Sequence, residues 1–464
     1  MPGQVVKHRS RHVTNTSWNI LDNISSHSYF FSIIARLAIT AHVACLTSPF
    51  PSRKVEKANN PLEQIFVRKE VDVVNKKHLA LLFFIAFFIM LGFGIIIPIL
   101  PFFAEKLGAT SFQIGVLFAS YNIMQLVFAP IWGALSDRIG RKPLISFGLF
   151  GFSITFILFG LADSYTEMLL YRILGGIVSA AALPTVTAMV ADLFPSEERA
   201  KGMGVIGAGI GLSFVFGPVI GGLLSEFGFA VPFYASGIVA LLTFFLILFA
   251  LPESLPKEKR ANLQKEQRQN PLVSLFGSMS LLYGILFTVS FAFSGLETTF
   301  ALYISDLYGF TSKDLGYMFL VMGLIAAAVQ GGLIGRMVKQ LGEASVLVIG
   351  MILYGIGFFA IPLSGNFWVL ALILSLFGAG QGMIRATATA MITQRTTQGQ
   401  GVTSGAISSM DSLGRILGPL AGGAVYQVSH SGPFFLGGVL MVLLLLWFVS
   451  GYRRLPEPST QAQS

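Results

Sequence analysis

Five ionisable residues stand well inside long apolar stretches of the sequence, where charge is unexpected. Of the 22 acidic residues only Glu297 and Asp411 do so, and of the 31 basic residues only Arg172, Arg385 and Arg415. An ionised side chain inside a bilayer costs several kcal/mol unless it is paired or faces water. Such residues mark proton or substrate pathways in membranes, and we expect these five to take part in proton coupling.

Glu297 is the strongest candidate for the proton carrier. Phe293 stands four residues before it and Phe300 three residues after it, on the same face of a helix. A carboxyl group between two aromatic rings in a partly dry cavity is costly to ionise, so its protonation state can change during a transport cycle. The alternative is a glutamate that is only hydrogen-bonded across a helix bundle.

The other four residues have two interpretations each. Asp411 and Arg415 are four residues apart, so on a helix they share one face and can neutralise each other. Arg385 also carries a charge that must be balanced, and Asp411 is available for it. The residues alone leave both pairings open. Arg172 belongs either to the proton pathway or to a buried contact between helices.

The segments around these residues have the composition of membrane-spanning helices. Hydrophobic residues make up 54% of the chain, charged residues 11%, and the mean hydropathy is +0.73. Abundant Phe and Gly suit helices that pack closely in lipid. We predict an all-α membrane protein with twelve transmembrane helices of about 20 residues or more. The predicted spans are 78–101, 113–135, 143–162, 166–190, 203–224, 230–251, 272–303, 315–335, 345–364, 367–392, 402–427 and 432–451.

Basic residues are distributed unevenly among the predicted loops. If both termini are cytoplasmic, the outer loops contain only Lys106 and Lys313. The inner loops, linker and tail contain Arg138, Arg141, Lys142, Arg199, Lys201, Lys257, Lys259, Arg260, Lys265, Arg268, Arg336, Lys339, Arg395, Arg453 and Arg454. This asymmetry follows the positive-inside rule. Topology therefore accounts for the net charge of +9, and nucleic acid is not an expected partner.

Polar segments flank and separate the two sets of six spans. Up to Arg53 the only acid is Asp22, so the N-terminal leader is either dispensable and disordered or an organellar transit peptide. The polar segment between the sets has the composition of a solvated linker. The predicted segments are a leader at 1–77, helix bundles at 78–251 and 272–451, a cytoplasmic linker at 252–271 and a cytoplasmic tail at 452–464.

Two short motifs occur twice. TVTAMV at 185–190 returns as TATAMI at 387–392, and GPVIGG at 217–222 returns as GPLAGG at 418–423. The offsets of 202 and 201 residues place the copies in corresponding spans of the two sets. We infer that a six-helix unit was duplicated. Two pseudo-symmetric halves then enclose a central cavity, with the substrate bound near the middle of the membrane.

The sequence GALSDRIGRK at 133–142 matches the motif G-x-L-x-D-R-x-G-R-K throughout. The chain therefore resembles the major facilitator superfamily, which implies secondary active transport. By that resemblance Asp137 pairs with neighbouring arginines in the state closed to the cytoplasm and acts as a gate latch. The alternative is a positive anchor at the cytoplasmic face. The motif residues are Gly133, Asp137, Arg138, Gly140, Arg141 and Lys142.

The fifth span is similar to a motif of the drug–proton antiporter branch of this superfamily, which implies export. Ser213 replaces one of the branch's glycines. Proline and glycine let such a helix bend and pack closely to seal the cavity. The alternative is a kinked packing helix without directional meaning. The motif residues are Gly204, Gly217, Pro218, Gly221 and Gly222.

Other segments resemble the bacterial multidrug exporters of this branch. These exporters have a glutamate at the position of Glu297, after a phenylalanine that is Leu296 here. They have an arginine at the position of Arg385, with an aspartate three residues earlier that is Gly382 here. Arg172 matches a motif of the fourth helix that is linked to proton transfer.

The first span resembles, more weakly, that of tetracycline exporters, but Ile89 replaces their aspartate. This favours a hydrophobic amine or dye over tetracycline as the substrate. Aromatic faces attract cations and methionine adapts its shape, so we expect an adaptable pocket. Its candidate residues are Phe93, Tyr121, Met124, Gln125, Phe293, Phe300 and Tyr303.

These features predict a monomer in a bacterial plasma membrane that exports small hydrophobic or cationic compounds, antibiotics included, in exchange for protons. The alternative is a proton-coupled importer or exporter of one metabolite, such as a sugar or an organic acid. The single cysteine, Cys45, excludes an internal disulfide and a cysteine-based metal site. Because no metal-ligand cluster, nucleophile or phosphate loop stands out, we expect no enzyme activity, cofactor or metal.

Overall fold

The computed structural model describes residues 61–194, 196–255, 279–396 and 400–452, without the side chains of residues 61–77, 196, 197, 200, 400 and 401. Most of the predicted leader, linker and tail lies outside these residues. The described part contains fifteen α-helices and no β-strand. The helices are α1 (Pro61–Ile96), α2 (Leu100–Lys106), α3 (Ser111–Ile139), α4 (Arg141–Gly160), α5 (Tyr165–Ser179), α6 (Leu183–Leu193), α7 (Ser196–Ser225), α8 (Val231–Ala250), α9 (Ser280–Tyr308), α10 (Ser312–Ala328), α11 (Ile334–Leu341), α12 (Glu343–Ala360), α13 (Phe367–Arg395), α14 (Gln400–Val428) and α15 (Gly432–Gly451).

The fifteen helices form the twelve predicted spans. α1 and α2 make up the first span, α5 and α6 the fourth, and α10 and α11 the eighth, while each other helix forms a span alone. Eleven of the spans are long and apolar enough to cross a membrane. The remaining helix, α14, is 29 residues long but more polar, since it carries Asp411 and Arg415.

Three spans that the sequence predicts as continuous helices are interrupted. α1 and α2 are separated at Pro98, which has no backbone N–H to donate. A turn at 180–182 separates α5 from α6, just before Pro184. A π-helical turn, Val329–Leu333, joins α10 to α11. In addition, α1 begins at Pro61, so this helix extends into the predicted leader.

The connections between spans lie alternately on two faces of the molecule. We name the face that holds the α3–α4 connection, with Arg138, Arg141 and Lys142, the basic face. The face where α3 begins at Ser111 is the opposite face. Glu253, just after α8, accepts hydrogen bonds from the backbone N–H groups of Arg141 and Lys142, which places the end of α8 on the basic face as well. α1–α8 form the N-terminal half, and α9–α15 form the C-terminal half.

Glycines bring the first and fifth spans of each half close together. In the N-terminal half, a Cβ atom built on Gly217 of α7 would lie 2.8 Å from the Cα of Gly94 in α1. In the C-terminal half, Gly418 and Gly422 of α14 pack against Gly295 of α9 in the same way. Residues 94 and 295, and residues 217 and 418, are both 201 positions apart. The two halves therefore repeat one packing arrangement.

The α7–α10 seam joins the two halves near the opposite face. A Cβ atom on Gly222 would lie 2.7 Å from the carbonyl oxygen of Ser312, and one on Gly316 would lie 2.6 Å from that of Pro218. Two turns further into the membrane, Gly323 packs against Val215 of α7. Because only glycine permits these distances, the GPVIGG segment closes this seam.

The α3–α14 seam repeats these contacts on the other side of the interface. Gly115 packs against the carbonyl group of Pro419, and Gly423 packs against that of Ser111. The Ser111 hydroxyl also donates a hydrogen bond to the Gly423 carbonyl at 3.0 Å. The second copy of the repeated motif, GPLAGG, therefore closes the second seam.

Toward the basic face the two halves separate. Around Gly204, Gly207 and Gly211 of α7, and around Gly331 and Gly335 beyond α10, no described residue outside the local helix backbone has a heavy atom within 4 Å of the Cβ position. Small residues of a closed interface between membrane helices would touch the partner helix. The α7–α10 seam is thus closed at the opposite face and open at the basic face.

Candidate transport site

Glu297 lies near the middle of α9 and is only 8% exposed. Its carboxyl group makes no hydrogen bond or ion pair with any residue that the structure describes. Arg172 of the N-terminal half and Arg415 of the C-terminal half both act on it electrostatically. Glu297 is therefore a buried carboxyl group without a direct partner, in the field of cations from both halves.

Asp411 of α14 contacts both candidate partners at once. Its Oδ1 lies 2.8 Å from an Nη of Arg385, and its Oδ2 lies 3.3 Å from Nε of Arg415. The Ser290 hydroxyl donates a further hydrogen bond to Oδ1. The two pairings that the sequence left open therefore coexist, and this carboxylate is held by three donors.

Arg172 of α5 is the charged residue that the N-terminal half contributes. It is 4% exposed, and its guanidinium carbon lies 4.6 Å from the ring centre of Tyr121 and 5.8 Å from that of Phe118. Its Nε has no hydrogen-bond partner among the described residues. Cation–π contacts thus replace a carboxylate partner at this position.

Two further side chains belong to this group, although the sequence analysis did not single them out. Ser290 stands seven residues, or two helical turns, before Glu297, and this spacing could have identified it. Tyr354 of α12 interacts electrostatically with Glu297 and with both arginines of the C-terminal half, and its hydroxyl donates to a backbone carbonyl of α9 at 3.1 Å. No spacing in the sequence points to Tyr354, because it lies on a different helix.

Four of the seven predicted pocket residues gather on the N-terminal half. The rings of Phe93 and Tyr121 are 5.6 Å apart. The Tyr121 hydroxyl donates to Oγ of Ser179 at 2.7 Å, and Nε2 of Gln125 donates to the same oxygen at 3.4 Å. Met124 packs against α5 one turn away. Tyr121 itself is buried, whereas Phe93, Met124 and Gln125 are partly exposed and form an apolar and polar wall beside Arg172.

The prediction for the C-terminal half was partly wrong. Phe300 is fully buried against Phe434, with ring centres 6.3 Å apart, and Tyr303 packs on the same ring at 4.8 Å. Both side chains therefore fill the space between α9 and α15 instead of lining the cavity. Phe293 is half-buried and stacks on Phe377 of α13 at 6.1 Å. The residues next to Glu297 on its helical face thus serve packing within one half.

The basic-face motif holds an ion network within the N-terminal half. Arg141 pairs with Asp137 at 2.7 Å and with Asp192 of α6 at 2.9 Å, and it donates to the Ser136 hydroxyl. Gly140, with φ of +111°, forms the turn between α3 and α4. Arg138 is exposed. The expected pair of Asp137 with a neighbouring arginine is present, and its role as a gate latch stays a prediction.

Two acidic partners of this network were missed. Asp192, at the end of α6, binds Arg141 and also accepts a hydrogen bond from Ser254 at 3.2 Å. Glu253 caps the first backbone N–H groups of α4, at 2.9 Å and 3.2 Å. A carboxylate is favourable at a helix N-terminus. Because Glu253 lies far along the chain from α4, the sequence does not reveal this contact.

The antiporter motif divides between the two ends of α7. Gly217, Gly221 and Gly222 lie in tight contacts, whereas Gly204 lies in the open part near the basic face. Ser213 is fully buried, and its hydroxyl donates to a carbonyl of α1 at 2.7 Å. The serine that replaces a family glycine therefore adds a hydrogen bond between helices.

A separate cavity of about 290 Å³ lies between the halves at the opposite face. Glu105, Asp306 and His430 line it, and the Tyr426 hydroxyl donates to Asp306 at 2.6 Å. It contains none of the five mid-membrane ionisable residues. Within the described residues, no group of three or more His, Cys, Asp or Glu side chains is arranged to hold a metal ion.

A sequence model of the major facilitator superfamily matches residues 82–342 and 331–464. The chain belongs to this superfamily. It is 32% identical to multidrug resistance protein 2 of Bacillus subtilis over 373 residues, which cover 78% of this chain and 92% of the relative. It is 28% identical to the quinolone resistance protein NorA of Staphylococcus aureus over 376 residues, which cover 79% and 96%.

Solved structures of the superfamily share the fold. The human organic anion transporter TETRAN is 25% identical, with a TM-score of 0.60 over 80% of this chain and 99% of that one. The nucleoside transporter NupG is 14% identical, with a TM-score of 0.63 over 81% and 99%. The chain is thus a multi-pass membrane transporter for small molecules, with two six-helix halves around a central cavity.

Proposed function

We propose that this chain exports small hydrophobic or cationic compounds in exchange for protons. The observation that carries the proposal is Glu297, a buried carboxyl group without a direct partner at mid-membrane. An acid in this setting can bind either a proton or a cationic substrate. The names of the two sequence relatives, which refer to multidrug and quinolone resistance, support a substrate of drug-like size.

The basic face is placed in the cytoplasm in this proposal, with both termini on that side of a cell membrane. The positive-inside rule supports this orientation, because the connections on this face hold most of the arginine and lysine residues. The described arrangement is then open to the cytoplasm, which is the state in which an exporter loads its substrate. The protein acts as a monomer, since each chain contains a complete pair of halves.

Glu297, not Asp411, carries the proton in this proposal. Asp411 is fixed by two arginines and a serine, and protonating it would leave both guanidinium groups without their carboxylate. Glu297 has no such contacts to lose. Arg385 and Arg415 contact Asp411 directly, and Arg172 completes the field around Glu297 from the other half.

Competition for one carboxylate couples the two fluxes. When the cavity faces the cytoplasm, ionised Glu297 attracts a cationic compound. When the cavity faces outward, a proton neutralises Glu297 and the attraction is lost. Because substrate and proton exclude each other at this group, each can drive the other across the membrane in the opposite direction.

The remaining motif residues support the two ends of this cycle. The GPVIGG segment seals the opposite face while the substrate loads, and the Arg141 network keeps α3, α4 and α6 together when the basic face moves. The wall of Phe93, Met124 and Gln125 supplies apolar and aromatic contacts to the substrate, and the buried Tyr121 supports Phe93 and Arg172 from behind.

The proposal is tested by ethidium efflux from bacterial cells that express the full chain. Wild type should extrude ethidium, and a protonophore should stop it. Glu297→Gln, which cannot ionise, should abolish the protonophore-sensitive part. Glu198→Gln is the matched control, because Glu198 is exposed near the start of α7, and it should behave as wild type.

Efflux that continues unchanged in Glu297→Gln would contradict the assignment of the carrier. Efflux that ignores the protonophore in wild type would contradict proton exchange itself. Membrane insertion of each variant is checked by surface labelling, so that a loss of protein is not mistaken for a loss of transport.

A further inference from the structure

The two seams that join the halves carry different charges at the opposite face. At the α7–α10 seam, Nζ of Lys313 lies 2.8 Å from a carboxylate oxygen of Glu226 in the other half. At the end of the α3–α14 seam lies the cavity of about 290 Å³, which is lined by Glu105 from the N-terminal half and by Asp306 from the C-terminal half. Opposite charges therefore meet across one seam, and like charges face each other across the other.

Glu105, near the end of α2, has no cation beside it to balance its charge. Among the described residues it makes no hydrogen bond or ion pair, and Asp306 acts on it electrostatically. The neighbouring Lys106 lies over the ring of Phe229 instead, 5.6 Å from the ring centre. α3 lines the cavity with uncharged side chains. Because two ionised carboxylates at one site repel each other, this pair favours separation of the halves.

The C-terminal half holds Asp306 in place and supplies a titratable partner. The Tyr426 hydroxyl donates to Oδ2 of Asp306 at 2.6 Å, and Nε2 of His430 lies 3.8 Å from the same oxygen. Tyr303 and Tyr308 of α9, with hydroxyl oxygens 3.4 Å apart, lie on this side as well. Tyrosine side chains stay neutral at physiological pH. Among the described residues that line the cavity, His430 is thus the one that can become a cation.

The pH of the medium at the opposite face therefore sets the charge of this group. Glu105 and His430 are both exposed to solvent, so protons reach them without passing through the central cavity. In alkaline medium both carboxylates are ionised and the histidine is neutral, which leaves two negative charges. Histidine gains its charge between about pH 8 and about pH 5, and a protonated His430 then neutralises Asp306. Acidification thus weakens the repulsion between the halves.

We infer that Glu105, Asp306 and His430 form a pH-operated latch, which closes the opposite face when the medium on that side is acidic. The inference rests on the proposed function, which places this face outside the cell, and adds regulation by external pH to it. In the proposed cycle the outer face closes after Glu297 has taken up an external proton. A latch that closes under the same acidic condition favours this step, although it lies apart from Glu297.

The test measures a distance across the opposite face as a function of pH. Spin labels at Asp163→Cys and Leu363→Cys, in exposed connections of the two halves, report the distance by double electron–electron resonance in lipid nanodiscs. The full chain also carries Cys45→Ser, which removes the native cysteine, and Glu297→Gln, which removes the proposed carrier. The ratio of open to closed molecules should rise about fivefold from about pH 5 to about pH 8.

Four further substitutions identify the groups responsible. Glu105→Gln removes the repulsion and should keep the closed distance over the whole range of pH. Asp306→Asn tests the same repulsion from the C-terminal half and provides the comparison if Glu105→Gln does not fold. His430→Gln removes the cation and should lower the pH at which the face closes. Glu226→Gln is the matched control, because it removes an acid of the other seam, and it should leave the pH dependence unchanged.

A distance that does not change with pH would overturn the latch, and so would an unchanged pH dependence in both Glu105→Gln and Asp306→Asn. Loss of the pH dependence in Glu226→Gln would overturn it too, since any acid at this face would then suffice. The proposed function is judged separately by ethidium efflux, because the distances are measured without a transported compound. Proton-driven efflux together with a pH-independent distance would support the proposed function and exclude the latch.

Discussion

The N-terminal and C-terminal halves repeat the same helix contacts but hold different charges. Gly94 and Gly217 in one half, and Gly295 and Gly418 in the other, bring the first and fifth spans together in the same way. At mid-membrane the N-terminal half has one charged residue, Arg172, whereas the C-terminal half has four. Duplication therefore preserved the packing, and the chemistry diverged within it.

This difference assigns separate tasks to the halves. The C-terminal half holds both acids and two of the three arginines, so in the proposed function proton and charge recognition fall mainly to α9, α13 and α14. The N-terminal half provides the aromatic wall and the ion network around Arg141 at the basic face. The following substitutions test whether the two halves share the same helix packing while their charged residues have different roles.

The largest effect on stability is expected from Asp411→Asn. The change leaves the guanidinium groups of Arg385 and Arg415 without their carboxylate, and it should lower the free energy of unfolding by about 3 kcal/mol. Unfolding in SDS would measure it. Asp163→Asn, at an exposed loop position, is the control. A loss as small as that of the control would show that the charged cluster does not stabilise the C-terminal half.

Gly221→Ala tests the packing that the halves share. Its added methyl group would collide with the backbone of Ile95, so we expect a loss of about 2 kcal/mol of unfolding free energy. Gly422→Ala, the equivalent change in the C-terminal half, meets Gly295 at 3.0 Å and should cost less, about 1 kcal/mol.

Gly207→Ala is the matched control for this pair. Nothing among the described residues lies within 4 Å of its Cβ position, so the greater helix propensity of alanine should leave stability unchanged or increase it by up to about 1 kcal/mol. Equal losses at all three positions would disprove the tight contact at Gly221.

Arg172→Gln should change stability little, in contrast with Asp411→Asn. The lost cation–π contact with Tyr121 is offset by removing a buried guanidinium whose Nε has no partner, so the net change should stay within about 1 kcal/mol. Ethidium efflux should nevertheless fall sharply, because the cation of the N-terminal half that acts on Glu297 is gone. Normal efflux would remove Arg172 from the transport site.

The smallest effect is expected from Lys313→Gln. Lys313 bridges the halves at the opposite face through Glu226 at 2.8 Å, but both side chains are well exposed to solvent. Exposed ion pairs contribute little to stability, so efflux should change by less than about twofold. A larger loss would mean that charge, in addition to glycine packing, holds this face closed.

Several features of this protein follow from the sequence because they depend on local pattern. Apolar length predicts the twelve spans, since a helix must cross a hydrocarbon core of fixed thickness. The 201-residue repeat predicts two similar halves, and the motif at 133–142 predicts the superfamily. The five ionisable residues stand out because charge is rare in apolar segments.

Contacts between distant helices were decided only by the tertiary structure. Asp411 binds two arginines at once, Arg141 reaches Asp192, and Phe300 turns toward Phe434 instead of the cavity. Helical spacing shows which residues share a face but not which neighbour that face meets. That choice depends on how separate helices pack together, and packing joins residues that lie 26 to 134 positions apart in these three contacts.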